Sequence, residues 1–178
     1  MVKITLLDKE FKLFIPAEKI QAEIQLIADR INNDLKNEEV IFIGILNGAF
    51  MFASDLLRKI TFNAQVSFVK LTSYQGIVSS GKVKRLIGIN EVLKDKTVVI
   101  IEDIIDSGST IESIIEQIKG FMPKQIYVTA LFLKAETYNK NVKLDYIGFN
   151  IPKDFVVGYG LDYQGYGRNL RSLYMIKE

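Results

Sequence analysis

The chain has 178 residues, 48% of them hydrophobic and 25% charged, with a net charge of +2. That allows one domain with a sizeable core and gives no general nucleic-acid footprint. Cysteine and histidine are absent, which excludes disulfides, thiol nucleophiles and Cys-based zinc sites, leaves a carboxylate, Lys or Tyr as general base, and leaves oxygen ligands for any metal, favouring Mg²⁺.

No apolar run approaches the roughly 18 residues of a membrane span. The start, M-V-K-I-T-L-L-D-K-E, lacks a signal-peptide form, so a cytoplasmic protein with no membrane contact is expected. Val2 to Phe14 reads as a short extended arm. Pro16 suits a first helical position, and Ile20, Ile24, Ile27, Ile31 and Leu35 recur at helical spacing, which predicts a packing helix. Glu39 to Leu46 is a buried strand, followed by Asn47-Gly48-Ala49 and a helix over Phe50 to Lys59. A glycine directly after such a strand either lets backbone approach a ligand or makes an ordinary tight turn.

Gln65 to Leu71 alternates as a strand does, and Arg85 to Val92 reads as its returning partner. The polar stretch between them, Thr72 to Lys84, is long for a connection and reads either as a lid or as a plain hairpin tip. Lys82, Lys84 and Arg85 read as solvated charges.

Val98–Thr110, V-V-I-I-E-D-I-I-D-S-G-S-T, carries the densest chemistry. Val98 to Ile101 reads as a strand buried on both faces. Ligands of open α/β sheets sit at the carboxyl ends of such strands, where Glu102, Asp103 and Asp106 follow. Ser109 and Glu112 have capping-box spacing, Ile111, Ile114, Ile115 and Ile118 keep one face apolar, and Gly120 is a stop. Ser107, Gly108, Ser109 and Thr110 would offer backbone N–H groups and hydroxyls at a helix N-terminus, a phosphate cradle. The carboxylates suit hydroxyls or a metal, so a sugar phosphate satisfies both halves of the stretch. An acidic, solvated turn, or a receiver-like phosphate protein holding Mg²⁺, would use the same residues.

Gln125 to Lys134 is a further buried strand, and the alternation of strands and helices implies a parallel sheet with right-handed crossovers. The last stretch is aromatic and glycine-rich with short extended runs. It supplies no further strand–helix unit and reads as a hood over the sheet or as a hairpin appendage. Gly158-Tyr159-Gly160 and Gly165-Tyr166-Gly167 are not dinucleotide fingerprints.

These residues carry a resemblance. V-V-I-I-E-D-I-I-D-S-G-S-T resembles the phosphoribosyl pyrophosphate motif of type I phosphoribosyltransferases, and its E-D-I-I-D form is similar to the hypoxanthine-guanine members. L-N-G-A-F resembles their pyrophosphate loop, Ser73-Tyr74 the pair in their flexible loop, and V-K-L-D-Y-I-G-F with D-F-V-V-G-Y-G-L-D-Y their purine hood. The blocks span Val40 to Arg168 in the family's order. Asn47 and Ser109 stand where some relatives carry basic residues.

The resemblance implies an α/β fold: a mostly parallel central sheet flanked by helices, a lid hairpin, and a single domain 1–178. The core would cover about 36–134, and the hood would come mainly from 135–178 with the N-terminal arm. It implies transfer of a 5-phosphoribosyl group from phosphoribosyl pyrophosphate to N9 of a 6-oxopurine, with Mg²⁺, in a homodimer or homotetramer. A non-catalytic regulator binding phosphoribosyl pyrophosphate on the same fold is the alternative. By position, Asp106 would be the base. Glu102 and Asp103 would hold the ribose hydroxyls and, with Asp162, approach the metal. Ser107 to Thr110 would fix the 5′-phosphate. Leu46, Asn47 and Gly48, through a cis peptide at Leu46–Asn47, would bind pyrophosphate with Arg168. Lys143 would donate to the 6-oxo group, Phe155 would stack on the base, and Val156 and Asp162 would line its edge. Ser73 and Tyr74 would belong to the lid.

Overall fold

Uninterrupted apolar runs demand burial on both faces, and the two central ones, β3 (Val40–Leu46) and β6 (Thr97–Ile105), pair side by side in parallel. The computed structural model describes residues 2–74 and 83–177, the side chains of 71–74 and 83–87 excepted. It builds a six-stranded sheet around the central pair, in the order β5-β4-β3-β6-β7-β8. The other members are β4 (Gln65–Tyr74), β5 (Val83–Ile87), β7 (Gln125–Leu133) and β8 (Tyr146–Asn150). Among the described strands of this sheet, neighbours are parallel except β4 and β5.

Side chains alternate across a strand, so each central strand feeds two cores. Val40 and Phe42 with Val99 and Ile101 pack toward α1 (Ala17–Leu35) and α2 (Phe50–Leu57). Ile41, Ile43 and Ile45 with Val98 and Ile100 pack toward α3 (Ser109–Lys119) on the other side. The predicted stripe of α1, Ile20, Ile24, Ile27, Ile31 and Leu35, is buried along its length. Each such side chain stabilises the fold by about 1.5–3 kcal/mol relative to exposure.

A second, antiparallel sheet forms the hood: β1 (Lys3–Leu6), β2 (Lys9–Ile15), β10 (Leu173–Ile176) and β9 (Val156–Val157), in the order β1-β2-β10-β9. The N-terminal arm is therefore a hairpin, and the hood is made from both ends of the chain.

The structure corrects several sequence expectations. Pro16 is the N-cap of α1, with extended backbone (φ −72°, ψ 154°), not its first helical residue. Strand β6 continues to Ile105 because its pairing with β7 runs as far as Ile105↔Leu133, so Glu102 and Asp103 lie within the strand. The Ser109–Glu112 capping box is not formed: Gly108 caps α3 with φ 86°, and Glu112 instead pairs with Lys140 at 2.6 Å. The stretch expected to form most of the hood also contributes β8 to the main sheet, beside β7. The returning strand β5 ends at Ile87, and the tip of the expected lid, 75–82, lies outside the described residues. Among the described residues, no helix is long and apolar enough to cross a membrane.

Candidate active site

Parallel strands aim their carboxyl ends at one edge of the sheet, and the loops after β3 and β6 meet there. After β6 the chain turns through Asp106, Ser107 and Gly108 into α3. Gly108 is required twice over: its φ is +86°, and an added Cβ would run into the Tyr138 ring and the Lys140 side chain. Ser107 donates to the Ser109 hydroxyl at 3.3 Å. A cavity of about 110 Å³ opens here, lined by Glu102, Asp106, Ser107, Gly108 and Thr110. The N-terminus of α3 faces that turn, which is the arrangement a phosphate needs.

A second cavity, of about 200 Å³, adjoins the first, sharing Ile104 and Asp106 with it. Its polar lining is Asp103, Asp106, Lys134, Asp162 and Arg168, and its aromatic wall is Phe155. Phe155 is 45% exposed, and Tyr163 supports its ring edge-on at 5.9 Å between centroids, with Phe11 of β2 at 6.4 Å. Val156, beside it, is buried. Arg168 donates to the Gly160 carbonyl at 2.7 Å and pairs with Asp162 at 2.5 Å, and the other Asp162 oxygen accepts from the Gly165 amide at 2.6 Å.

The loop after β3 closes against these groups. The Leu46–Asn47 peptide is cis, as the resemblance implies. An added Cβ at Gly48 would fall on the Asp103 carboxylate, and one at Gly160 would fall on the Gly48 carbonyl. Asp103 is 9% exposed and accepts from the Ile104 amide at 2.8 Å. Burial pushes its carboxyl up to about 6, despite the backbone donors and Arg168. Asp106 is the opposite case. The Thr137 hydroxyl, and then the Lys134 ammonium at 3.2 Å, hold it below the usual carboxylate range.

The raised Asp103 carboxyl has a measurable consequence. The native state keeps this proton to a higher pH than the unfolded chain does, so its contribution is fully favourable below the unfolded value and is lost as pH climbs from about 4 through about 6. At pH 7.5 the buried charge costs the fold roughly 3 kcal/mol. Asp103→Asn is therefore expected to gain about 2–3 kcal/mol over the parent at pH 7.5, and little at pH 4.5, in denaturant titrations with chelator present. Equal pH dependence in the two proteins would rule this out.

Lys143 is not brought to the site. Its side chain is 83% exposed and pairs with Asp145 at 2.7 Å. It borders a different cavity with Gln125 and Ile126, at the start of β7. Because β8 runs parallel to β7, residues leading into β8 lie at the amino edge of the sheet, opposite the site. The cation that the structure does bring to the aromatic cavity is Lys134, one residue past the end of β7, with a side chain only 12% exposed. The rule that marked Glu102 and Asp103, polar residues at the carboxyl end of a buried parallel strand, would have found it.

Nor do Glu102, Asp103 and Asp162 converge as a metal-ligand set: Glu102 lines the smaller cavity and the other two the larger. Among the described residues, no group of three acids could hold a metal ion. Ser109 is exposed at the first turn of α3, outside the cavity lining. Ser73 and Tyr74 are the last residues of β4, and their side chains lie outside the described set.

The model of the phosphoribosyl transferase domain matches residues 16–164. A hypoxanthine phosphoribosyltransferase from Buchnera aphidicola is 35% identical over 155 residues, 85% of this chain and 88% of that protein. A hypoxanthine-guanine phosphoribosyltransferase from Aquifex aeolicus is 33% identical over 172 residues, covering 96% and 97%. The crystal structure of a hypoxanthine-guanine phosphoribosyltransferase from Bacillus anthracis superposes with a TM-score of 0.86 at 31% identity, covering 96% of this chain and 100% of that one.

Proposed function

Since the chain belongs to the phosphoribosyltransferase family, as a member of its hypoxanthine phosphoribosyltransferase branch, we propose that it transfers a 5-phosphoribosyl group from phosphoribosyl pyrophosphate to N9 of a 6-oxopurine, releasing pyrophosphate, in purine salvage. The observation that carries this reading is the pair of adjoining cavities sharing Asp106: one at the end of β6 and the N-terminus of α3, the other walled by Phe155. A sugar phosphate fits the first and a flat base the second.

In the reaction N9 attacks the anomeric carbon, the bond from that carbon to pyrophosphate breaks, and the proton on N7 goes to Asp106. Ser107, Gly108 and Thr110 fix the 5′-phosphate, and Glu102 and Asp103 hold the ribose hydroxyls, which sets the position of the anomeric carbon. Backbone from Leu46 to Gly48, with Arg168, receives the leaving pyrophosphate. Lys134 takes the role expected of Lys143. Its ammonium lies beside Asp106, and the 6-oxo group and N7 are neighbours on one edge of a purine, so one pair of side chains meets both atoms.

Mg²⁺ belongs to the proposal. The donors available are oxygens, which suits a hard ion, and among the described residues no three carboxylates converge to cage it. It would therefore rest mainly on substrate hydroxyl and pyrophosphate oxygens, with Asp103 or Asp162 at its protein edge. When bound it supplies positive charge against the departing pyrophosphate. A homo-oligomeric state, a lid that includes Ser73 and Tyr74, and organisation as a single phosphoribosyltransferase domain over 1–178 complete the proposal and rest on the resemblance; a cytoplasmic location joins them from the sequence pattern.

The test is initial rates of pyrophosphate release from phosphoribosyl pyrophosphate and Mg²⁺ with hypoxanthine, guanine, xanthine or adenine. Release that depends on a 6-oxopurine is expected. Tight binding of phosphoribosyl pyrophosphate with no turnover would instead mark a regulator. Lys134→Gln is expected to lower kcat/KM for hypoxanthine roughly 10–50-fold and to narrow the preference over adenine, because a buried cationic donor is replaced by a shorter, neutral amide that can also accept. Lys143→Gln is expected to stay within about twofold of the parent, in line with a solvent-exposed charge. The reverse pattern would return the base contact to Lys143.

A further inference from the structure

The connection from β7 to β8 runs over the phosphate loop and is tied to it at successive residues. The Lys134 amide donates to the Ile105 carbonyl at 2.9 Å, and the Asn139 amide to the Ser107 carbonyl at 3.3 Å. The Tyr138 ring covers Gly108, and the Tyr138 hydroxyl is anchored to the Val142 carbonyl at 2.6 Å. Lys140 pairs with Glu112 of α3 at 2.6 Å. Midway along this strap, the Thr137 hydroxyl donates to Oδ1 of Asp106, while the Lys134 ammonium holds Oδ2 at 3.2 Å.

Asp106 sits just past the end of its strand with a side chain 55% exposed, so packing alone does not fix its rotamer. Two bonds from the strap do, and they differ in kind. Lys134 is needed by the base and must turn part of its attention to the 6-oxo group when a purine enters. Thr137 has no such duty.

Resting on the function proposed above, we propose that Thr137 is a positioning residue: its hydroxyl keeps one oxygen of Asp106 fixed so that the other stays aimed at N7 after Lys134 engages the base. The charged groups facing Asp106 are Lys134 at the end of β7, Asp103 on β6, and Asp162 and Arg168 from the hood, with Glu102 in the adjoining cavity. Thr137 is the neutral donor among them. It also works on basicity, because a hydrogen bond to the ionised carboxylate favours that form.

The experiment compares Thr137→Val, Thr137→Ser and Asp106→Asn/Thr137→Val with the parent and with Asp106→Asn, measuring kcat, KM and the pH dependence of kcat with hypoxanthine. Thr137→Val, an isosteric change, is expected to lower kcat about 5–10-fold with KM for phosphoribosyl pyrophosphate unchanged, and to move the acid limb of the profile upward by about half a pH unit or more. Thr137→Ser keeps the hydroxyl and is expected to restore both. In the Asp106→Asn background, the valine change is expected to cost little more, since the two groups act as a unit. The proposal is overturned if Thr137→Val leaves kcat and the acid limb at parent values, if serine is as poor as valine, or if the valine penalty persists undiminished without Asp106. A parent chain that releases no pyrophosphate would instead overturn the function itself, so the two failures are told apart by the unmutated protein.

Discussion

Asp106→Asn is expected to lower turnover at least about 10²-fold while the fold persists. The carboxylate lies beyond the end of β6 with a side chain 55% exposed, so no core depends on it. An asparagine oxygen still accepts from Thr137, but the amide nitrogen turned toward Lys134 sets a donor against an ammonium. More decisively, an amide takes no proton from N7 at neutral pH. The chain has no histidine; of the other carboxylates lining the two cavities, Asp103 is buried against Gly48, both Asp162 oxygens are engaged, and Glu102 lies in the smaller cavity, away from the Phe155 wall. Pyrophosphate-release kinetics beside thermal melts would check this, with melting expected to stay within a few degrees of the parent. Turnover near that of the parent would remove Asp106 from the role.

Gly48→Ala is expected to lower kcat/KM at least about 10³-fold. Its cause is steric. The new Cβ would occupy the place of the Asp103 carboxylate, so that side chain must break from the Ile104 amide and move into the cavity it lines, or the loop after β3 must lift away. The lifted loop would in turn press on the hood, because the Gly48 carbonyl already touches Gly160. Both movements displace groups that receive the ribose and the pyrophosphate. The affinity for phosphoribosyl pyrophosphate, measured by calorimetry without a base, should fall together with turnover. An alanine variant that binds it normally would mean that the loop does not face the leaving group.

What could be read in advance follows how local each signal is. The run from Val98 to Thr110 carried its own answer, because a strand buried on both faces, a polar bend and an amphipathic helix are adjacent in sequence. The stripe of α1 was equally plain. The loop at Leu46 to Gly48 was identified by its likeness to known proteins and not by its residues, since a turn and a ligand cradle look alike on paper. The two lysines are told apart by topology alone. Lys134 and Lys143 both flank apolar strands, and only the parallel pairing of β7 with β8 decides which one reaches the carboxyl edge. Pairing direction is a long-range fact, invisible to spacing. Thr137 gave no signal at all: a lone threonine after a strand acquires meaning only when a loop from elsewhere brings Asp106 to it.

The hood has a consequence for the order in which the molecule can be made. β2 is synthesised well before β10, yet it is sandwiched in its sheet between β1 and β10. A nascent chain can assemble the sugar-phosphate half soon after β7 emerges from the ribosome, whereas β2 must wait with one edge open until β10 arrives. Such distant pairings form slowly, and an unpaired strand edge invites the wrong neighbour. Arrested translation products ending before β10 should therefore carry a nearly finished phosphate pocket beside a half-built wall for the base, and should be the species that aggregates.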